Sequence, residues 1–221
     1  MKKISEIYKQ YDIMPNLQEH QLRVAGVAQL ICDNLNLQQS DPQQSIDRDA
    51  IITTCLLHDM GNIIKFNLGH FPEFRAEKGL EYWQRVKDEY IAKYGPEEHI
   101  ATHMIVKEIG VSAEVESYLD RIGFSNLDKA LDNPSLGQKI CSYADMRVGP
   151  HGVISIEQRV ADGIKRYAAT SHVIASGKAP FLAECLKKIE DLIFANCSIR
   201  PEDITDAKVN ALREGLMDRE A

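Results

Sequence analysis

Apolar residues recur along most of this chain at steps of three and four, the spacing of one face of a helix, and no segment alternates long enough to read as a strand. His20, Val24, Val27, Ile31 and Leu35 share such a face, and Asn16-Leu17-Gln18-Glu19 before them has the form of a capping box with Asn16 as N-cap. A second helix starts near Asp47 or Asp49, runs through AIITTCLLHDM and is expected to stop at Gly61. It is apolar almost all round, which predicts a central helix. After a looser stretch over 62–78, LEYWQRVKDEYIAKY is predicted to be helical up to Gly95-Pro96, and EEHIATHMIVKEI up to Gly110. Ser112 can cap a further helix ending near Gly123, and Pro134 opens SLGQKICSYADMRV, which stops at Gly149-Pro150. Ser155-Ile156-Glu157-Gln158 is a second capping box. Amphipathic stripes follow, carrying Val160, Ile164 and Tyr167, then Leu182, Leu186, Ile189 and Ile193, then Val209, Leu212 and Leu216. The pattern predicts one all-α domain over residues 1–221, with a core over about 15–150 and the helices of 151–221 packed on it.

Composition narrows the classes of function. Hydrophobic residues make up 44% and charged residues 27%, as in ordinary globular proteins. The formal net charge is −7 and no block of lysine or arginine stands out, so duplex nucleic acid is not an expected partner. A small anionic substrate is compatible with that charge, because a metal or a few local cations can outweigh a weak overall field. The N-terminal MKKISEIYKQYD lacks the apolar run of a signal peptide, and no stretch approaches the length of a membrane span. The five cysteines, Cys32, Cys55, Cys141, Cys185 and Cys197, are widely spaced and form no C-x-x-C pair. They are expected to be reduced thiols in a cytoplasmic protein.

The chemistry concentrates in a few residues. His58-Asp59 falls where the central helix ends, and a carboxylate added to that negatively polarised end is unfavourable by itself. A divalent cation would reverse that sign; a capping histidine and a turn aspartate are the structural alternative. His20 lies on an apolar face, where a satisfied core histidine is equally a reading. Asp145 shares an apolar face with Cys141 and Val148, and burying it costs several kcal/mol unless it is paired or coordinates a metal.

Together, His20 in EHQLRVAGVAQLI, His58-Asp59 in CLLHDMGNII and Asp145 in SYADMRVG resemble the His…His-Asp…Asp pattern of the HD-domain phosphohydrolase superfamily, over roughly residues 15–150. The resemblance implies an all-α helical bundle, here with additional C-terminal helices, in which His20, His58, Asp59 and Asp145 hold one divalent ion per chain. The ion would be Mn, Mg, Fe, Co, Ni or Zn. It also implies hydrolysis of a phosphoester in a small phosphorylated metabolite such as a nucleotide. Two imidazoles and two carboxylates leave room on a six-coordinate ion for water and a phosphate oxygen. The ion lowers the pKa of its water, a carboxylate oxygen on Asp59 or Asp145 can take the proton, and the catalytic role is assigned to Asp59. Arg23, Lys65 and Arg147 are the candidate phosphate contacts, with solvated or paired surface cations as the alternative, and His99 or His70 is expected to face the substrate. Many relatives carry lysine after the glycine of the doublet motif, where this chain has Asn62, which makes Lys65 a substitute. Two further readings stay open: a two-iron oxygenase of the same fold, and a non-catalytic nucleotide-sensing module.

Overall fold

A computed structural model describes residues 2–36, 46–69, 77–167 and 172–221. Over these residues the backbone forms thirteen α-helices, short 3-10 turns and isolated bridges, and no strand. After α1 (Ile4–Gln10) comes α2 (Pro15–Asp33), whose N-cap is Met14 rather than Asn16. Pro15 explains the difference: its fixed φ and missing N–H suit the first helical position, which moves the start ahead of the capping box. Asp47 caps α3 (Arg48–Leu57), its carboxylate accepting the Ala50 N–H at 2.9 Å. Every residue from Ala50 to Leu57 is buried, so α3 is the central helix that its all-round apolarity predicts.

It packs against α2, α6 (Ala113–Leu119) and α8 (Leu136–Asp145). Ile51, Leu56 and Leu57 are fully buried there, and each such side chain contributes about 1.5–3 kcal/mol relative to exposure. A 3-10 turn at Asn62–Ile64 leads away from α3 and touches both α4 (Gly79–Tyr94) and α5 (Glu98–Ile109). Gly110 ends α5 in the left-handed conformation that only glycine adopts freely, at φ 84°. Ser112 and Ser135 cap α6 and α8 through bonds to Val115 and Gln138.

Beyond α7 (Leu127–Asp132) and α8, the chain turns back on itself. The Ser155–Gln158 box forms in both directions at the head of α9 (Ile156–Tyr167). A short α10 (His172–Ala175) precedes α11 (Ala179–Phe194), which lays Leu182, Leu186, Ile189 and Ile193 against α7 and α8. The last two, α12 (Asp206–Asn210) and α13 (Arg213–Asp218), return to α2, where Val209 occupies the space that a Cβ on Gly26 would need. Among the described residues no helix is long and apolar enough to cross a membrane.

Candidate metal centre

Three helices deliver one cluster. His20 stands in the second turn of α2, His58 is the C-cap residue of α3 with Asp59 directly after it, and Asp145 is the last residue of α8. Ligand atoms of His20, His58 and Asp59 all lie within 4.8 Å of one another. His20 Nε2 is 3.2 Å from Asp145 Oδ1 and 3.6 Å from Asp59 Oδ2. His58 Nε2 is 3.6 Å and 3.7 Å from the same two oxygens. All four side chains named from the sequence are therefore brought together. Among the described residues no other three His, Cys, Asp or Glu side chains converge as closely.

The arrangement fits a cation. His58 places Nδ1 2.9 Å from the Cys55 carbonyl, which fixes the ring and directs Nε2 at the carboxylates. That Nε2 is buried and has no hydrogen-bond partner, although a buried polar atom is ordinarily paired. Two helix C-termini, those of α3 and α8, point their partial negative charge at the same spot, where two carboxylates already stand. Burial alone would push the His58 pKa down, yet Asp59 and Asp145 outweigh it and hold it at about 10. Conversely, burial pushes Asp59 and Asp145 up, but the two histidines draw both below the usual carboxylate range, Asp145 furthest. Protonated imidazole thus balances the carboxylates in the metal-free protein, and a divalent ion can replace that positive charge.

Neutral side chains hold the turn that carries Asp59. Gln21 Oε1 accepts the Asp59 N–H at 3.3 Å, Thr102 Oγ1 accepts the Gly61 N–H at 2.9 Å, and Asn62 Nδ2 donates to Asp59 Oδ2 at 2.6 Å. Sequence reasoning singled out Asn62 only as a departure and passed over Gln21 and Thr102, since nothing in a spacing pattern tells where an amide or hydroxyl will point. Gly61 has φ −91° and is not a left-handed helix stop. A Cβ there would stand 2.4 Å from the Glu98 carbonyl oxygen, so glycine is needed for the approach of α5.

The candidate substrate contacts divide. Lys65 Nζ lies 3.0 Å from Glu98 Oε1; burial lowers its pKa, but Asp59 and Glu98 more than compensate and raise it. Arg23, one turn beyond His20, reaches Glu19 only at 3.8 Å and keeps a buried Nε without a partner. Arg147 is a correction. It is buried, and donates to the Ile154 carbonyl at 2.7 Å, the Tyr143 hydroxyl at 2.7 Å and the Pro201 carbonyl at 3.2 Å. Arg147 lies in the turn beyond the end of α8, and its guanidinium goes to these three partners rather than to the cluster. His99 is 63% exposed beside Glu98 at 3.6 Å and stands outside the cluster. His103 pairs with Asp120 at 3.3 Å, and His70 lies outside the described residues.

Residues 17–123 match the family model of the HD domain. No curated protein and no solved structure gives a match. The matched span ends before Asp145, which the fold itself returns to His20 and His58. With that match, an all-α fold and a convergent His/Asp cluster, the chain carries an HD domain over residues 17–123.

Proposed function

We propose that this protein is a metal-dependent phosphohydrolase that cleaves a phosphoester in a small phosphorylated metabolite, a nucleotide being the class that fits best. The observation that carries the reading is the buried Nε2 of His58, which has no hydrogen-bond partner and is gathered with His20, Asp59 and Asp145 between three helices. These four side chains would hold one divalent ion, and the mixed nitrogen and oxygen donors suit Mn, Fe, Co, Ni or Zn, with Mg a weaker match. Bound there, such an ion supplies an activated water and neutralises charge on the phosphoryl group. Asp59 turns Oδ2 toward the imidazoles, leaving its other oxygen as the acceptor for the proton of the attacking water. Lys65 stands close enough to Asp59 for their charges to interact, and its ammonium is the first candidate to hold a phosphate oxygen. Arg23, with donors to spare, is the second. A two-iron oxygenase would need a further set of ligands, and the described residues gather only the one cluster.

The test is phosphate release by wild type and Asp59→Asn at matched, saturating metal, against a panel of phosphomonoesters, dinucleotides and nucleoside triphosphates. Asparagine at this position removes the proton acceptor and weakens the ion's site. Turnover is expected to fall roughly a hundredfold or more, and stabilisation by metal to shrink with it. Comparable turnover in the two proteins defeats the mechanism.

A further inference from the structure

We propose that Asn62 is a positioning residue of the metal centre, whose side-chain amide selects the oxygen that Asp59 presents to the ion; this rests on the metal-centre reading above. Asp59 belongs to a turn whose main chain has little freedom left. Its N–H donates to Gln21 Oε1 at 3.3 Å, and its carbonyl accepts the Asn62 N–H at 3.0 Å. Two residues on, the Gly61 N–H donates to Thr102 Oγ1 at 2.9 Å, with the Glu98 carbonyl filling the place a Cβ would take. Helix α2 thus fixes the backbone from one side and α5 from the other. What remains are the torsions of the Asp59 side chain, the outer of which is soft and roughly two-fold, so either oxygen can take the inner place.

Asn62 removes that ambiguity. Its Nδ2 donates at 2.6 Å to Oδ2, the same oxygen that lies 3.6 Å from His20 Nε2 and 3.7 Å from His58 Nε2. A carboxylate oxygen has two lone pairs, so Oδ2 can keep the amide bond on one and offer the other to an ion between the imidazoles. The amide's own Oδ1 is buried without a partner among the described residues, so no competing contact accounts for its orientation. Being neutral, the amide orients the carboxylate without adding a charge that would repel the ion, as an ammonium at the same place would. Partners that orient a ligating side chain in this way typically contribute roughly tenfold to a hundredfold to metal affinity.

The test is calorimetric titration of Mn2+ and Co2+ into the metal-free wild type, Asn62→Leu and Asn62→Ala. Each protein is also melted without metal, and the visible absorption of its Co2+ form is recorded. Leucine keeps the volume of asparagine and loses its hydrogen bonds; if it does not fold, the smaller alanine carries the same comparison. Expected are a dissociation constant raised roughly tenfold or more and a Co2+ spectrum that differs from wild type, with metal-free melting little changed. A folded variant that binds both ions as tightly as wild type, with the same spectrum, overturns the proposal and leaves the metal-centre reading standing. Wild type that takes up neither ion overturns that reading and the proposal with it.

Discussion

His58 Nε2 is the atom for which, in the proposed metal centre, a proton and a metal ion would compete. Without metal, burial favours neutral imidazole, but Asp59 and Asp145 hold the His58 pKa at about 10, above its ordinary 6.5. A group whose folded pKa is raised contributes stability that is fully present below its unfolded pKa and is lost as pH rises through the folded one. The carboxylates work in the other sense: both are depressed below 3.8, so their contribution is present above that value and is lost as pH falls. The chelated protein should therefore melt highest between about pH 4 and 6.5 and lose stability steadily from there toward pH 10. Protein saturated with Mn2+ should lose less over the same range, because the ion takes the place of the proton and binds more tightly as His58 deprotonates. Melting temperatures measured from pH 6 to 10 with chelator and with metal decide it; a flat profile for the chelated protein excludes the charged His58. The four convergent side chains were legible as a set from their order and helical contexts. Arg147 was misread because it was placed by distance along the chain, whereas α8 ends at Asp145 and the turn beyond it carries the guanidinium to Ile154 and Tyr143.

The turn between α3 and α5 shows where local signals and tertiary packing part. Asp47, Ser112 and Ser155 announce their helix starts because a cap is a local bond, and Gly95 and Gly110 announce their stops. Gly61 carries the same letter for another reason. Helix α3 ends at Leu57, and Gly61 lies against the first turn of α5, with a Cβ position 2.4 Å from Glu98 O, 2.8 Å from Ala101 Cβ and 2.9 Å from Thr102 N. Two of those three neighbours are backbone atoms, which cannot swing aside. Gly61→Ala should therefore push α5 from the turn and cost about 1–3 kcal/mol, the usual range for an overpacked core position. It should also weaken metal binding, since the Thr102 bond that fixes the turn next to Asp59 stretches with it. Denaturant unfolding and metal titration of the variant measure both effects, and an alanine protein with wild-type stability and affinity would refute the steric account. No sequence pattern distinguishes a glycine needed for its φ from one needed for its missing side chain, because the second depends on a helix forty residues away.

Residues beyond the matched HD span complete the fold from outside. The apolar stripes of α11 and α12 were legible as stripes, but their docking on α7, α8 and α2 is long-range and leaves no local mark. The two ends of the chain meet, Ile4 N–H donating to Arg219 O at 2.9 Å and Ala221 N–H to Lys2 O at 3.1 Å. Between these, Arg147 ties the end of α8, which carries Asp145, to the C-terminal part. Its guanidinium bonds Ile154 in the turn that follows α8, Pro201 after α11, and Tyr143, whose hydroxyl donates to the buried Glu190 of α11 at 2.7 Å. Lys187 supplies a further cation to Glu190, but from an exposed position, where screening by water weakens it. Arg147→Met keeps the length and apolar stem, removes the charge, and takes a donor from the Ile154 and Pro201 carbonyls and from the buried Tyr143 hydroxyl, leaving Pro201 O only the Ile204 N–H. The expected loss is on the order of 3 kcal/mol of unfolding free energy, read from urea midpoints with the slope unchanged. Metal affinity of the folded variant should match wild type, because these bonds go to Ile154, Tyr143 and Pro201 and none reaches the His/Asp cluster. If Arg147 instead served the substrate, the methionine protein would be as stable as wild type and deficient in turnover, and the two results together distinguish a clamp from a phosphate contact.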